Sequence, residues 1–124
     1  MSRTILIADD EDDILGLLRV HLARLGYEVV AAHDGEEAVR LAAEHRPVLA
    51  VLDVSMPKLD GLEVTRRLRA AAKGDVPVIL LSALVQPADV ERGLDAGAAA
   101  YLRKPFTGEE LRARIEEVLP AASS

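Results

Sequence analysis

Residues 4–26 read "TILIADDEDDILGLLRVHLARLG". The run "TILIA" (4–8) is apolar without alternation, as expected of a strand covered on both faces. Five consecutive carboxylates follow, Asp9 to Asp13. Ile14, Leu17, Leu18, Leu22 and Leu25 then recur at helical spacing, and Gly26 supplies a C-terminal stop. A buried strand feeding an amphipathic helix is the start of a βαβ unit, and the rest of the chain repeats it.

"EVVAA" (28–32) leads to Asp34, an N-cap with Glu37 three residues on, and to Ala38, Leu41 and Ala42 on one helical face. "VLAVL" (48–52) runs into the loop "DVSMPKLDG"; Asp60 and Glu63 form a second capping pair ahead of Val64 and Leu68. "VPVILLS" (76–82) reads as the fourth strand. Pro87 opens a weaker fourth helix that ends near Gly97. "AAYLR" (99–103) is the fifth strand, and Thr107 with Glu110 forms a capping box before Leu111, Ile115, Val118 and Leu119. Alternating buried strands and amphipathic helices predict a parallel sheet covered on both faces. Right-handed crossovers then favour a flavodoxin-like doubly wound (βα)5 sandwich with strand order 2-1-3-4-5. Residues 1–120 are expected to form one domain, and 121–124 a short frayed tail.

Composition narrows the function. The chain has 124 residues, half of them hydrophobic and 29% charged, which is globular composition. A net charge of −6, dispersed arginines and three aromatics (two Tyr, one Phe) argue against a nucleic-acid surface. Cysteine is absent, which excludes thiolate chemistry and suits the cytoplasm. No apolar run is long enough for a membrane span, and no signal-peptide pattern opens the chain.

In a parallel sheet all strands point their C-terminal ends to one edge, where ligands sit at the switch point between strands 1 and 3. Polar residues end these strands: Asp9 and Asp10 after the first, Asp53 after the third, Ser82 after the fourth, Lys104 after the fifth. Two unit charges about 4 Å apart cost about 4 kcal/mol at an effective dielectric of about 20, so converging carboxylates need a cation. Carboxylates with a backbone carbonyl and water suit Mg²⁺, and Lys104 and Ser82 suit phosphate oxygens. Metal, ammonium, hydroxyl and carboxylate nucleophile together suggest an aspartyl phosphate. Glu11, Asp12 and Asp13 read instead as first-turn acids that complement the helix dipole. His21, His33 and His45 show no ligand spacing and no evident carboxylate partner, and read as structural or solvated.

The stretches "ILIADDE", "LDVSMPKLDGLEV", "PVILLSA" and "GLDAGAAAYLRKPF", with the final helix, resemble the response-regulator receiver domain of two-component signalling, over residues 3–119. The resemblance implies that Asp53 is the phosphoacceptor and that Asp10 ligates Mg²⁺ (or Mn²⁺) directly, with Asp9 acting through water. Asp53 would add a side-chain oxygen and Ser55 a backbone carbonyl. Lys104 would pair with the phosphoryl group, Ser82 would close onto it with the Ala83 N–H as a further donor, and Tyr101 would change rotamer with Ser82. It also implies a cis Lys104–Pro105 bond, and it makes Ser55 and Leu84 the positions that tune phosphoryl lifetime. Expected partners are a histidine kinase or phosphotransfer protein and a downstream effector protein docking on the fourth helix, fifth strand and fifth helix. Neither nucleic acid nor membrane is expected as a direct partner, and the chain would be a monomer or a phosphorylation-dependent dimer. With no effector segment after residue 120, output is expected to pass to another protein.

The alternative is an enzyme, a Mg²⁺-dependent phosphatase with an aspartate nucleophile. Such enzymes usually place a second aspartate two residues after the first, where this chain has Ser55. Flavin binding on the same topology fits poorly, because five acids follow the first strand and would repel the phosphate. The sequence therefore favours a signalling module that promotes only its own phosphorylation and dephosphorylation over an enzyme.

Overall fold

The structure, a computed structural model, describes residues 3–71, 76–83 and 86–119. Leu84 and residues 120–124, which include the expected tail, lie outside the described residues. The apolar runs become β1 (Thr4–Ala8), β2 (Glu28–Ala32), β3 (Leu49–Asp53), β4 (Val78–Ser82) and β5 (Ala100–Arg103). Between and after them lie α1 (Asp12–Arg24), α2 (Gly35–His45), α3 (Gly61–Ala70), α4 (Pro87–Asp95) and α5 (Gly108–Val118). All neighbouring strands pair in parallel, in the order β2-β1-β3-β4-β5. This is the flavodoxin-like doubly wound sandwich.

Side chains alternate across the sheet, so each strand feeds two cores. Ile5, Ile7, Leu49, Val51, Ile79, Leu81 and Leu102 pack with Leu15, Leu18 and Leu22 of α1 and Leu111 and Ile115 of α5. Leu6, Ala8, Ala50, Leu52, Val78 and Leu80 pack with Ala38 and Ala42 of α2 and Val64 and Leu68 of α3. Two buried faces explain why the strands show no polar alternation.

The helix ends follow the sequence with one systematic variation. Thr107 and Glu110 form the full reciprocal box: the Glu110 N–H donates to Thr107 Oγ1 (3.0 Å) and the Thr107 N–H to Glu110 Oε1 (2.9 Å). Asp34 and Asp60 each accept from the N–H three residues on, but the return arm differs. Glu37 accepts from the His33 N–H, and Glu63 turns outward to Arg66 and Arg67.

The buried stripe of α1 differs from the one predicted. Leu15, Leu18 and Leu22 face the sheet, whereas Leu17 (41% exposed) and Leu25 (40%) face solvent. The helix is apolar on two overlapping faces, and the sheet takes the one spaced i, i+3, i+7. Strand bounds shift slightly as well: β3 runs through Asp53, and β4 begins at Val78, past Pro77.

Candidate metal and phosphoryl site

Asp53 is the last residue of β3, and Asp9 is the first residue past β1. Alternation sends both toward the α1 and α5 side of the sheet, continuing the series Ile5–Ile7 and Leu49–Val51. Lys104 continues Ala100 and Leu102 in the same way, and its N–H extends the β5 pairing by donating to the Ser82 carbonyl at 2.9 Å. Three strands thus deliver two acids and a lysine to one point. The Lys104–Pro105 bond there is cis.

Lys104 Nζ lies 2.9 Å from Asp9 Oδ2 and 3.3 Å from Asp53 Oδ1, with the more exposed Glu11 carboxylate 3.7 Å away. Asp9 is fully buried and Asp53 is 5% exposed. Asp9 Oδ1 accepts from the Glu11 N–H at 2.9 Å, but Oδ2 has no directed hydrogen bond among the described residues. Its nearest partner is the Lys104 ammonium, an ion pair at 2.9 Å. Burial of this kind is costly unless the remaining lone pairs are satisfied.

Burial pushes the Asp53 carboxyl up to about 6, and the Asp9 charge adds to the effect against the pull of Lys104 and the Ser55 N–H. Burial alone would lower the Lys104 ammonium, but Asp9 and Asp53 outweigh it and hold the pKa above its usual value. Each shift has the same origin: one cation is shared by two carboxylates in a dry site.

Asp10 lies beside this pair in the β1–α1 turn, exposed where Asp9 is buried. Oxygen atoms of Asp9, Asp10 and Asp53 lie within 4.8 Å of one another, close enough to share one cation. An all-oxygen donor set, with one buried oxygen lacking a directed partner, fits a hard cation such as Mg²⁺. Ser55 is exposed, two residues past Asp53. Ser82 ends β4, 6% exposed, and pairs in register with Arg103; Ala83 follows it at the surface. Tyr101 points to the opposite face of β5 from Lys104, and its ring packs over α4, so close that a Cβ at Gly93 would lie 3.1 Å from it. The strand ends therefore bring together Asp9, Asp10, Asp53 and Lys104, while Tyr101 lies on the other side of the sheet.

Sequence reading missed the contacts of three residues. Glu11 reaches Lys104 as well as opening α1. His33 does have carboxylate partners, Asp12 Oδ1 at 3.1 Å and Glu37 Oε1 at 3.5 Å. The signal was available in the strand order, since β2 lies beside β1 and residues just past either strand become neighbours. Lys58 lies 3.7 Å from Asp34 Oδ2, a contact with no signature in the sequence.

Comparison with known proteins agrees with this geometry. The model of the response regulator receiver domain matches residues 5–116. The alkaline phosphatase synthesis transcriptional regulatory protein PhoP of Bacillus subtilis is 44% identical over 96% of this chain and 49% of its own length. The response regulator MprA of Mycobacterium ulcerans is 48% identical over 96% of this chain and 51% of its own. The chain thus spans about half the length of these curated relatives. Among solved structures, the Vibrio cholerae chemotaxis protein CheY4 superposes with a TM-score of 0.91 at 31% identity, covering 96% of this chain and all of the other. The receiver domain of a Pseudomonas aeruginosa sensor histidine kinase, described with a magnesium ion coordinated in its active-site cleft, gives 0.85 at 36% identity, covering 94% and 97%. A match over nearly the whole chain, on a sheet whose C-terminal edge gathers three aspartates and a lysine, makes this chain a member of the response regulator receiver domain family.

Proposed function

We propose that Asp53 accepts a phosphoryl group from a histidine kinase, a phosphotransfer protein or a small acyl phosphate, and that the modification switches the domain toward a partner protein. The observation that carries this reading is a nearly buried carboxylate at the end of β3, 3.3 Å from an ammonium and within metal-sharing distance of two more aspartates. In the proposed reaction an Asp53 oxygen attacks phosphorus as the donor's N–P or acyl O–P bond breaks, leaving an aspartyl phosphate. With its pKa near 6, Asp53 is mostly the carboxylate nucleophile at neutral pH. Asp10, Asp53, the Ser55 carbonyl and, through water, Asp9 would hold Mg²⁺ or Mn²⁺, which when bound neutralises charge developing on the phosphoryl oxygens. Lys104 would pair with those oxygens.

Ser82 and the Ala83 N–H would then close onto the phosphoryl group, drawing in β4, with Tyr101 moving against α4. The resulting change would be read on the face of α4, β5 and α5 by an effector protein or by a second copy in a phosphorylation-dependent dimer. Residues 1–120 would form this unit, working in the cytoplasm and catalysing only its own phosphorylation and dephosphorylation. Incubation with acetyl phosphate and Mg²⁺ should add the mass of one phosphoryl group, and Asp53→Asn should abolish the addition. Wild-type protein left unmodified under those conditions would sink the reading.

A further inference from the structure

The loop between β3 and α3, residues 54–60, carries the proposed Ser55 ligand and is held in an uncommon conformation. At its start the Val54 N–H donates to the Leu81 carbonyl (2.9 Å), and the Gly61 N–H returns to the Val54 carbonyl (2.8 Å). Further on, the Leu59 N–H donates to the Pro57 carbonyl (2.8 Å) across Lys58, whose φ is +72°. An i to i+2 bond around a positive φ is a γ-turn, a strained form that non-glycine residues rarely adopt. Such strain persists only where the surroundings over-determine it.

The surroundings here are the first residues of α2. The Gly35 N–H donates to the same Pro57 carbonyl, at 3.3 Å. The backbones lie so close that a Cβ on Gly35 would stand 2.0 Å from the Leu59 oxygen and 2.5 Å from the Leu59 Cβ. Asp34 serves both sides: its Oδ1 caps α2 by accepting from the Glu37 N–H at 2.8 Å, and its Oδ2 lies 3.7 Å from Lys58 Nζ. The Glu37 N–H, with help from Lys58, holds the Asp34 carboxyl below its usual range, so it is charged at working pH. Ser55 and Met56 span the short gap between the Val54 and Pro57 anchors.

We infer that the N-terminus of α2, through Gly35 and the Asp34–Lys58 pair, positions the β3–α3 loop so that the Ser55 carbonyl can serve as a metal ligand. The inference rests on the Mg²⁺ site proposed above. Gly35 and Lys58 are positioning residues, since neither touches the metal. Mg²⁺ requires near-ideal octahedral geometry at about 2.0–2.1 Å, so displacing one fixed carbonyl should be felt in affinity. An alanine at position 35 would force the Leu59 carbonyl back by about 1 Å, taking the turn with it.

The test is calorimetric Mg²⁺ titration of wild type, Gly35→Ala, Lys58→Met and Lys58→Arg, with thermal unfolding in EDTA run alongside. Gly35→Ala should weaken Mg²⁺ binding about tenfold, the lower end of what supporting-shell changes cause. Lys58→Met should weaken it about two- to threefold, in keeping with an exposed ion pair, and Lys58→Arg should restore it. Variants that unfold earlier in EDTA yet bind Mg²⁺ as tightly as wild type would show a merely structural strap and overturn the inference. If Gly35→Ala does not fold, the Lys58 pair decides: equal affinity in the Met and Arg variants overturns it. A wild type that takes up no Mg²⁺ would overturn the metal site itself, and this inference with it.

Discussion

Two clusters of acids, each around a single basic side chain, lie at the same edge of the sheet, just past neighbouring strands. In one, Lys104 stands between Asp9 and Asp53, almost out of water. In the other, His33 stands between Asp12 and Glu37, with the His33 ring and Asp12 carboxyl 60% and 87% exposed. Their distances are similar, from 2.9 to 3.5 Å. Burial separates them. Solvent screens the outer cluster until its contacts are worth little. In the inner one two carboxylates share one ammonium, and removal of that cation leaves both uncompensated. Similar contact geometry therefore gives a solvent-screened surface feature in one place and a tightly coupled, buried charge cluster in the other.

The largest effect should come from Lys104→Met. Asp9 and Asp53 would face each other without the ammonium that now holds the Asp53 carboxyl down, and breaking a buried pair costs about 3–5 kcal/mol, with uptake of a proton by Asp53 offsetting part of it. Urea unfolding in EDTA should show a loss of about 3 kcal/mol, with Mg²⁺ recovering much of it by taking the vacated charge role. The Lys104 ammonium also competes with any cation for Asp9 and Asp53. Mg²⁺ affinity in the variant should therefore rise several-fold even though phosphorylation falls. A small stability loss, unresponsive to Mg²⁺, would mean that the inner cluster is as well screened as the outer one.

Asp53→Asn should act in the opposite direction. The Asp53 pKa is raised to about 6 from an ordinary 3.8, so the native state resists ionisation. Below pH ~4 the carboxyl is neutral whether folded or unfolded, and wild type and variant should be equally stable on this account. As pH rises from ~4 to ~6 the unfolded chain ionises first, and wild type loses stability relative to the variant. Above pH ~7 the gap is constant, on the order of 3 kcal/mol in favour of Asn without metal. Parallel urea titrations at pH 4 and pH 7.5 in EDTA would measure it, and saturating Mg²⁺ should narrow it. A variant no more stable than wild type at pH 7.5 would contradict the charge balance assigned to the inner cluster.

Much of this was legible in the sequence, and the failures have physical causes. Apolar runs located every strand because parallel strands are buried on both faces, and strand order then placed Asp9, Asp53 and Lys104 together. The stripe of α1 was misread because Leu17 and Leu25 fit helical spacing as well as Leu15 does, and only packing chooses between them. The γ-turn at Lys58 was not legible, because no residue in "MPKLDG" demands a positive φ at lysine, and the Gly35 backbone that packs against the turn comes from a separate segment of the chain. Local chemistry writes caps and strands into the sequence, whereas contacts between loops that meet only after folding leave little trace.

The smallest expected effects divide the acidic run itself. Asp10 and Asp12 are both exposed and stand two residues apart, one within reach of the metal-sharing group and one paired with His33. Asp10→Ala should weaken Mg²⁺ binding at least tenfold, about 1.4 kcal/mol. Asp12→Ala should leave that affinity nearly unchanged and cost no more than about 1 kcal/mol of stability, through a weaker helix-dipole contact. Removing His33 with His33→Ala should likewise leave Mg²⁺ affinity where it was. Both measurements use the same titration, so the comparison is internal. Equal losses at Asp10 and Asp12 would mean that the cation answers to the summed charge of residues 9–13 instead of to a defined set of oxygens. A loss confined to Asp10 assigns the metal to the inner cluster and leaves Asp12 to its helix.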